Sequence, residues 1–293
     1  MDRISIPFVP KHQSTPSHST ELEMGIAGWG YSRLSHSEIN ALRRRLPRWA
    51  VEGTSGHFFK YADEQTILAV QALDHAIERY GIDVRKQANF AVIAAPRFVG
   101  RAASAVTFQR FLRDGASGVS PHIIPQHSLH SVSGAISVLL GCHGPNVGVG
   151  GGPKALDDAF LAAATLFERD AGAGVWLTCT AWDPEPVVDR EGNCTNEPQC
   201  HAFALAVGSC NMQSRQGTIR LRFPSAAAST HNQSTDKSEA HLGVSEIRVA
   251  DIVSEMMRTD TRQMPGSLRW HMTWGATVEL GLTTQAAYRS LAA

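Results

Sequence analysis

The chain has 293 residues, of which 43% are hydrophobic and 18% charged, enough apolar material for one large folded domain. Its 27 Lys and Arg residues equal its 27 Asp and Glu residues, so the basic excess of a nucleic-acid-binding protein is absent. No apolar run approaches the ~20 residues of a membrane span, and the N-terminus lacks the apolar stretch of a signal peptide. The five cysteines form no even disulfide framework, and Cys179 lies in an apolar run typical of a buried free thiol. A reducing, cytoplasmic location is therefore expected.

The N-terminal part of the chain predicts a strand followed by two helices. Residues 1–22 are rich in Pro, Ser, His and Thr and predict a flexible segment. Residues 21–30 predict a short strand that ends at glycines. Ser37 is the predicted cap of a short helix. Asp63 precedes a longer helix whose apolar residues recur at helical spacing, and Gly81 is its predicted end.

The middle of the chain alternates strands and helices. Residues 89–96 and 172–182 are apolar and predict buried strands. Between them, residues 129–140 form an apolar pattern with many small residues, typical of a packed helix. A short strand at 145–150, a glycine turn and a helix at 154–170 follow. This order predicts an α/β fold with parallel strands.

The C-terminal part changes in character. Residues 217–223 alternate as a half-exposed strand does, whereas residues 224–241 contain almost no large apolar residue and predict a mobile loop. A short helix at 249–258 precedes a segment, residues 267–282, whose spacing is strand-like and which is expected to extend a sheet. A final helix is predicted at 285–291.

The glycine turn GVGGGPK, residues 148–154, allows three interpretations. As a phosphate cradle it fails the Walker pattern, because the glycine spacing is wrong and no hydroxyl residue follows Lys154. As a dinucleotide fingerprint it has Gly148 and Gly150 but proline at the third position, and no acidic strand end supports it. As an elbow, it would hold a nucleophile at a helix N-terminus, where the dipole stabilises a thiolate.

The order of these motifs resembles the N-terminal half of the β-ketoacyl synthases, in the thiolase-like superfamily. The resemblance rests on IIPQHSLHSVSGAISVLLGCHGPNVGV, followed by ALDDAFLAAATLFERDAGAGVWLTCTAWDPE, and extends upstream to MGIAGWG, TILAVQALDHAIERYGID and NFAVIAA. It implies a thiolase-like layered α/β fold, mainly the N-terminal half of that fold with a shortened C-terminal portion. The implied organisation is a flexible segment at 1–22, a ketosynthase-like domain at 23–212 and a shortened C-terminal region at 213–293.

The resemblance also implies where catalysis would occur. Counted from Gly144, the nucleophilic cysteine of the family falls on Pro153, which has no nucleophilic side chain but suits the first turn of a helix. The residues expected to keep the elbow turn are Gly150, Gly151, Gly152 and Pro153. Cys142 lies eleven positions before Pro153 and is interpreted as a bystander thiol. The downstream histidines of the family have no match in the surroundings of His231, His241 or His271. No catalytic residue is therefore assigned.

The function implied by the resemblance is that of a non-catalytic subunit of the chain-length-factor type. Such a subunit pairs with an active ketosynthase and shapes the acyl channel in fatty-acid, polyketide or aryl-polyene biosynthesis, with an acyl carrier protein as a further partner. The residues expected at the interface or channel are Gln126, His127, His130, Ser133, Asn146, Val147 and Val149. Two alternatives stay open: a weakly active, cysteine-independent malonyl-thioester decarboxylase or condensing enzyme, and a homodimeric acyl-binding scaffold.

Neither a metal nor another cofactor is expected. His127 and His130 are three residues apart at the start of a helix, and with His122 and His143 they have no carboxylate close in sequence. The spacing of CTNEPQCH, residues 194–201, is far from that of zinc fingers. Polar interface roles are the preferred interpretation of these histidines.

Overall fold

Eight strands and seven α-helices make up the part of the chain that the computed structural model describes, residues 21–121, 123–169, 174–189, 195–208, 216–224 and 247–284. The strands are β1 (Glu21–Ser35), β2 (Ala91–Pro96), β3 (Asn146–Gly148), β4 (Val175–Asp183), β5 (Gln199–Gly208), β6 (Gly217–Arg222), β7 (Gly266–His271) and β8 (Thr277–Leu282). The helices are α1 (His36–Leu42), α2 (Glu64–Tyr80), α3 (Arg101–Asp114), α4 (Ile123–His127), α5 (Leu129–Leu140), α6 (Ala155–Arg169) and α7 (Val249–Arg262). The helix expected at 285–291, nearly all of the loop expected at 224–241 and residues 1–20 lie outside the described residues.

The strands form one mixed sheet in the order β3-β2-β4-β5-β1-β6-β8-β7. Strand β2 pairs in parallel with both β3 and β4, which confirms the parallel arrangement predicted for the middle of the chain. Strand β5 runs antiparallel to both β4 and β1. Strands β6, β8 and β7 then continue the sheet from β1, so the C-terminal region extends the sheet of the N-terminal region. The predicted α/β fold class is confirmed.

Helices cover both faces of the sheet, so the fold has three layers. The period-2 alternation of β2 shows the division: Ile93 and Ala95 belong to an apolar cluster that includes residues of α6 and α7 on one face, whereas Val92 and Ala94 belong to a cluster that includes residues of α2 and α5 on the other. Every residue of β2 is buried for this reason. Near-continuous apolar strands are what a sheet covered on both faces requires.

Strand β1 is longer than the sequence predicts, because its glycines lie inside the strand. The expected end near residue 30 is wrong, and the strand runs on to Ser35. A Cβ atom on Gly30 would lie 2.2 Å from the carbonyl oxygen of Ala72 and 2.5 Å from the nitrogen of Ala76, both in α2. Glycine here lets helix α2 pack directly on the strand rather than ending the strand.

The first two helices begin where polar side chains cap them. Ser35, and not the predicted Ser37, is the N-cap of α1; its hydroxyl accepts from the Glu38 amide, and the Glu38 carboxylate accepts from the Ser35 amide. The boundaries predicted for α2 are confirmed. Asp63 is its N-cap, and Gly81 ends it in the left-handed conformation.

Helix α3 is absent from the sequence predictions, and the structure explains why. None of its residues is buried, and its apolar side chains Phe108, Phe111 and Leu112 are 61%, 47% and 68% exposed. A helix shows a regular stripe of apolar residues because that stripe packs on the core of its own chain. Helix α3 does not pack there, so the core imposes no such stripe on its sequence. Its apolar side chains lie on the surface instead.

Candidate functional site

The glycine turn forms an elbow between β3 and α6, as the sequence predicts. Val149 still donates its amide to the carbonyl of Ala94 in β2, at 2.9 Å, and the chain then turns. Gly150 and Gly151 take positive φ angles of 76° and 91°. The Gly151 carbonyl accepts a 3.0 Å hydrogen bond from the amide of Phe98, which fixes the turn against the loop after β2. Helix α6 begins at Ala155.

Close backbone packing explains most glycines of the elbow. A Cβ atom on Gly148 would lie 2.3 Å from the Leu129 carbonyl oxygen, and one on Gly150 would lie 2.5 Å from the Cα atom of Ala155. A Cβ atom on Gly151 would lie 2.6 Å from Cδ2 of Leu129. Gly152 differs, because a Cβ atom there would have no neighbouring atom within 4 Å. Three of these glycines are therefore required by shape, and Gly152 is not.

Pro153, the residue on which the resemblance places the family's nucleophile, offers no reactive group. Pro153 is exposed just before the first turn of α6 and carries neither a nucleophilic side chain nor an N–H donor. Cys142 lies in the loop at the opposite end of β3, where it is buried and its Sγ donates to the carbonyl of Gln87. Burial raises the pKa of Cys142 to about 11, which disfavours the reactive thiolate. Neither Pro153 nor Cys142 therefore offers a reactive thiolate at the turn.

The other described cysteines are also unreactive. Cys179 and Cys200 have no exposed surface and form no disulfide, and the expectation of a buried free thiol at Cys179 is confirmed. Burial raises the pKa of both thiols well above the ordinary value. Cys194 and Cys210 lie outside the described residues.

A cleft of about 610 Å³ opens beside the elbow, and sequence reasoning missed it. Pro153 and Lys154 line one side, and His271, at the end of β7, lines the other. The Nδ1 atom of His271 and the hydroxyl of Thr277 share a 3.0 Å hydrogen bond. The local sequence around His271 shows no family motif, and only the β7–β8 hairpin brings this histidine to the elbow. His231 and His241 lie outside the described residues.

Hydrogen bonds to Asp63 hold helix α4, which carries Gln126 and His127, two of the residues expected at the interface or channel. The Nδ1 atom of His127 donates to Oδ2 of Asp63 at 3.3 Å, and the Gly100 amide donates to the same oxygen at 3.0 Å. The other oxygen of Asp63 caps α2 by accepting from the amide of Gln65. Asp63 is 3% exposed, so this contact anchors α4 to the start of α2. Because 64 residues separate His127 from Asp63 in the sequence, no local pattern predicted this contact.

The remaining residues expected at the interface or channel fall into two groups. Gln126, His130, Asn146, Val147 and Val149 are exposed or half-buried. Ser133 has no exposed surface, and its hydroxyl donates to the carbonyl of His130 within α5. Ser133 therefore lies inside the chain, and does not offer its side chain to a surface in this structure.

The described residues contain neither a metal cluster nor a membrane-spanning helix. No group of three or more His, Cys, Asp or Glu side chains in this part of the chain is arranged to hold a metal ion. None of the described helices combines the length and the apolar character that crossing a membrane requires.

Comparison with known proteins identifies the architecture. Residues 50–151, which include β2, α5, β3 and the start of the elbow, match the model of the β-ketoacyl synthase N-terminal domain. A solved structure described as the ishigamide ketosynthase/chain length factor has a TM-score of 0.51 at 13% identity, over 89% of this chain and 99% of that chain. The fold is that of the ketosynthases. The resemblance stated from the sequence is thus confirmed.

Two more ketosynthase structures are similar in shape. A type II polyketide synthase acyl-carrier protein in complex with its ketosynthase, AntDE:AntF, has a TM-score of 0.56 at 11% identity, over 89% of this chain and 99% of that chain. A ketosynthase in complex with its chain length factor from Xenorhabdus doucetiae has a TM-score of 0.47 at 14% identity, over 88% and 99%. A comparison with curated protein sequences found no match. At such identities the likeness concerns the ketosynthase fold.

Proposed function

We propose that this chain is a non-catalytic ketosynthase-like subunit that pairs with an active β-ketoacyl synthase and shapes its acyl channel. The proposal rests on the elbow, where Gly150 and Gly151 keep left-handed conformations while the residue that the resemblance aligns with the nucleophile is Pro153. We infer that the turn is kept for its shape, because proline offers no group for covalent catalysis.

Edge strand β3 supports pairing with a partner. Among the described strands it has β2 as its single neighbour, because it stands at one end of the sheet. An edge strand offers unpaired backbone groups that a strand of another chain can pair with. Val147 and Val149 are partly buried against the core, and Asn146 has a side-chain oxygen without a hydrogen-bond partner in the described residues. These residues form the centre of the proposed interface.

The apolar surface of α3 and α4 supports the same proposal. Phe108, Phe111 and Leu112 lie at helical spacing on α3, and Ile124 of α4 is 75% exposed. Contiguous exposed apolar side chains of this size mark interaction sites on soluble proteins. Within the contacts of the described elements, α3 packs chiefly on α4 and on the short 3₁₀ turn that follows it. A partner that covers this surface would bury the apolar side chains of α3 and α4 that the chain itself leaves exposed.

We further propose which residues contact the acyl chain. Helix α4 carries Gln126 and His127, and His130 is exposed on the first turn of α5. His127 is held inward by Asp63, which leaves Gln126 and His130 to contact an acyl chain. Two of the similar structures support a role of this kind by their descriptions, one as a ketosynthase/chain length factor and one as an acyl-carrier protein with its ketosynthase. The pathway class remains fatty-acid, polyketide or aryl-polyene biosynthesis, with an acyl carrier protein as a further proposed partner.

Co-purification with a ketosynthase tests the proposal. The chain is co-expressed with an active β-ketoacyl synthase, one of the two carries a tag, and the complex is assayed for condensation and product length. We expect a heterodimer whose formation Phe111→Arg weakens at least tenfold. Leu161→Arg is the matched control, because Leu161 is similarly exposed, at 39%, but lies on α6. A chain recovered alone, without effect on condensation, would contradict the proposal.

The same experiment distinguishes the two alternative functions. A stable dimer of this chain without the ketosynthase would favour the homodimeric scaffold. Release of CO₂ from a malonyl thioester by the isolated chain would favour the decarboxylase, for which His271 beside the elbow is the residue to substitute first.

A further inference from the structure

Helices α3 and α4 form an arm that leaves the body of the fold and returns to the same place. The arm runs from Gly100 to His127, and no described residue of α3, of the 3₁₀ turn after it or of α4 is buried. The two ends of the arm meet, because a Cβ atom on Gly100 would lie 2.6 Å from the Cβ atom of His127. A segment with few buried contacts is among those that open at a low free-energy cost. The contacts at its base therefore decide where the arm lies.

One buried carboxylate binds both ends of the arm. Oδ2 of Asp63 accepts hydrogen bonds from the Gly100 amide at 3.0 Å and from Nδ1 of His127 at 3.3 Å. The other oxygen accepts from the Gln65 amide at 2.9 Å, so the first turn of α2 fixes the carboxylate. Hydrogen bonds to a charged, buried group are stronger than those between neutral groups. Asp63 therefore closes the base of the arm.

Gly151 of the elbow contacts the chain on both sides of the arm. Its carbonyl accepts a 3.0 Å hydrogen bond from the amide of Phe98, just before the arm. After the arm, Leu129 occupies the space beside Gly151, where a Cβ atom would lie 2.6 Å from Cδ2 of Leu129. The backbone of Leu129 also packs on Gly148, with its carbonyl oxygen 2.3 Å from the position of a Cβ atom there. A side chain at residue 148 or 151 would displace the point at which the arm rejoins α5.

We propose that Asp63 and the elbow form the seat of the arm, and that this seat positions the apolar surface of α3 and α4 for the partner. Asp63 is a positioning residue, since it is buried and acts through Gly100 and His127. The seat needs the shape of the elbow and no nucleophile, which agrees with proline at residue 153. By linkage, a partner that binds the seated arm also stabilises the seat. The partner itself rests on the proposed function, whereas the attachment of the arm is a property of the chain alone.

Amide hydrogen exchange of the full chain, followed by mass spectrometry, tests the seat without a partner. Asp63→Asn keeps the size of the side chain and one acceptor oxygen for the start of α2, but removes the charge and the second acceptor. We expect exchange in residues 100–127 to become about tenfold faster, while the amides of β2 and β5 keep their wild-type rates. Asp83→Asn is the matched control, because Asp83 also caps a helical turn, by accepting from the Arg85 amide, but at the 3₁₀ turn after α2. It should leave exchange in the arm unchanged.

Two further variants separate the two parts of the seat. His127→Ala removes the donor at the end of the arm and leaves the cap of α2 intact, so it takes the place of Asp63→Asn if that variant does not fold. Gly151→Ala places a methyl group against Leu129, and Gly152→Ala, with open space at its Cβ position, is the control. His127→Ala and Gly151→Ala should each speed exchange in the arm about tenfold, and Gly152→Ala should not change it.

Partner binding supplies the second measurement. Each variant that loosens the arm should bind an active β-ketoacyl synthase about tenfold more weakly than wild type, measured by calorimetric titration. Wild-type exchange of the arm in both Asp63→Asn and His127→Ala, or faster exchange spread evenly over the whole chain, would overturn the seat. A loosened arm with wild-type affinity for the partner would overturn its positioning role. If the wild-type chain binds no ketosynthase, the proposed function fails and the positioning role fails with it, whereas the exchange result still decides the seat.

Discussion

Arg79 Nη1 lies 2.7 Å from Asp260 Oδ1, and this ion pair joins helix α2 to helix α7. The guanidinium also stacks over the ring of Trp29, at 4.5 Å, and the Tyr31 hydroxyl donates to the second oxygen of Asp260 at 3.0 Å. One carboxylate of the C-terminal region is thus bound by side chains from both α2 and β1. The junction explains how residues after 247 are held on the N-terminal part of the fold.

Removal of this carboxylate should destabilise the chain. Asp260→Ala leaves the Arg79 charge, 14% exposed, without its partner and the Tyr31 hydroxyl without its acceptor. We expect the free energy of unfolding to fall by about 2 kcal/mol, measured by urea denaturation. Asp114→Ala is the control, because its ion pair with Arg113 lies at the surface and should change stability by less than about 1 kcal/mol. Equal effects of the two variants would contradict a structural role for Asp260.

The same junction predicts a loss of stability at high pH. Burial, together with the hydrogen bond to Asp260, raises the pKa of Tyr31 to about 12, from 10.0 for an exposed tyrosine. The unfolded chain therefore loses this proton first, so the stabilisation is complete below pH 10 and is lost as the pH rises to about 12. Tyr31→Phe removes the titrating group, and its unfolding free energy should fall less steeply than that of wild type over this range.

Local patterns in the sequence were sufficient for much of the fold. The caps of α2, the buried strand β2 and the strand–turn–helix order around the elbow each depend on neighbouring residues, and all were predicted. The continuation of β1 through Gly30 was missed, because glycine was interpreted as a strand end when its role is contact with α2, more than 40 residues away. Contacts between distant segments carry no local signal.

The candidate site likewise combines features that the sequence predicted with features that it did not. The glycine turn was found from its local sequence, because it is one continuous segment, and the resemblance, counted from Gly144, placed the nucleophile position on Pro153. The Asp63–His127 contact and the approach of His271 and Trp270 to the elbow depend on how α4 and the β7–β8 hairpin pack. Helix α3 was missed for a different reason: its apolar side chains face outward, so they have no counterpart in the core of this chain.

The elbow glycines predict a sharp contrast between neighbouring positions. Gly151 has a φ of 91°, and a Cβ atom there would meet Leu129 at 2.6 Å. Gly151→Ala should therefore lower the free energy of unfolding by about 1–3 kcal/mol. Gly152→Ala is the matched control, with open space at the Cβ position, and should stay within about 0.5 kcal/mol of wild type. Chemical denaturation of both variants decides the point, and similar losses would show that the turn is not held by Leu129.

Substitution of Pro153 by cysteine should restore a thiol but not condensation. The position is exposed at the start of α6, so the introduced thiol should react with iodoacetamide and add one label relative to wild type. Condensation also requires groups that stabilise the developing negative charge, and the sequence lacks the family's histidine motifs. His271, although it lines the same cleft, has its Nδ1 hydrogen-bonded to Thr277. The assay supplies an acyl thioester and a malonyl thioester and detects products by mass spectrometry, with Pro153→Ser as the control for turn geometry. We expect no condensed product from either variant, and product from Pro153→Cys would show that this chain retains a working set of catalytic side chains.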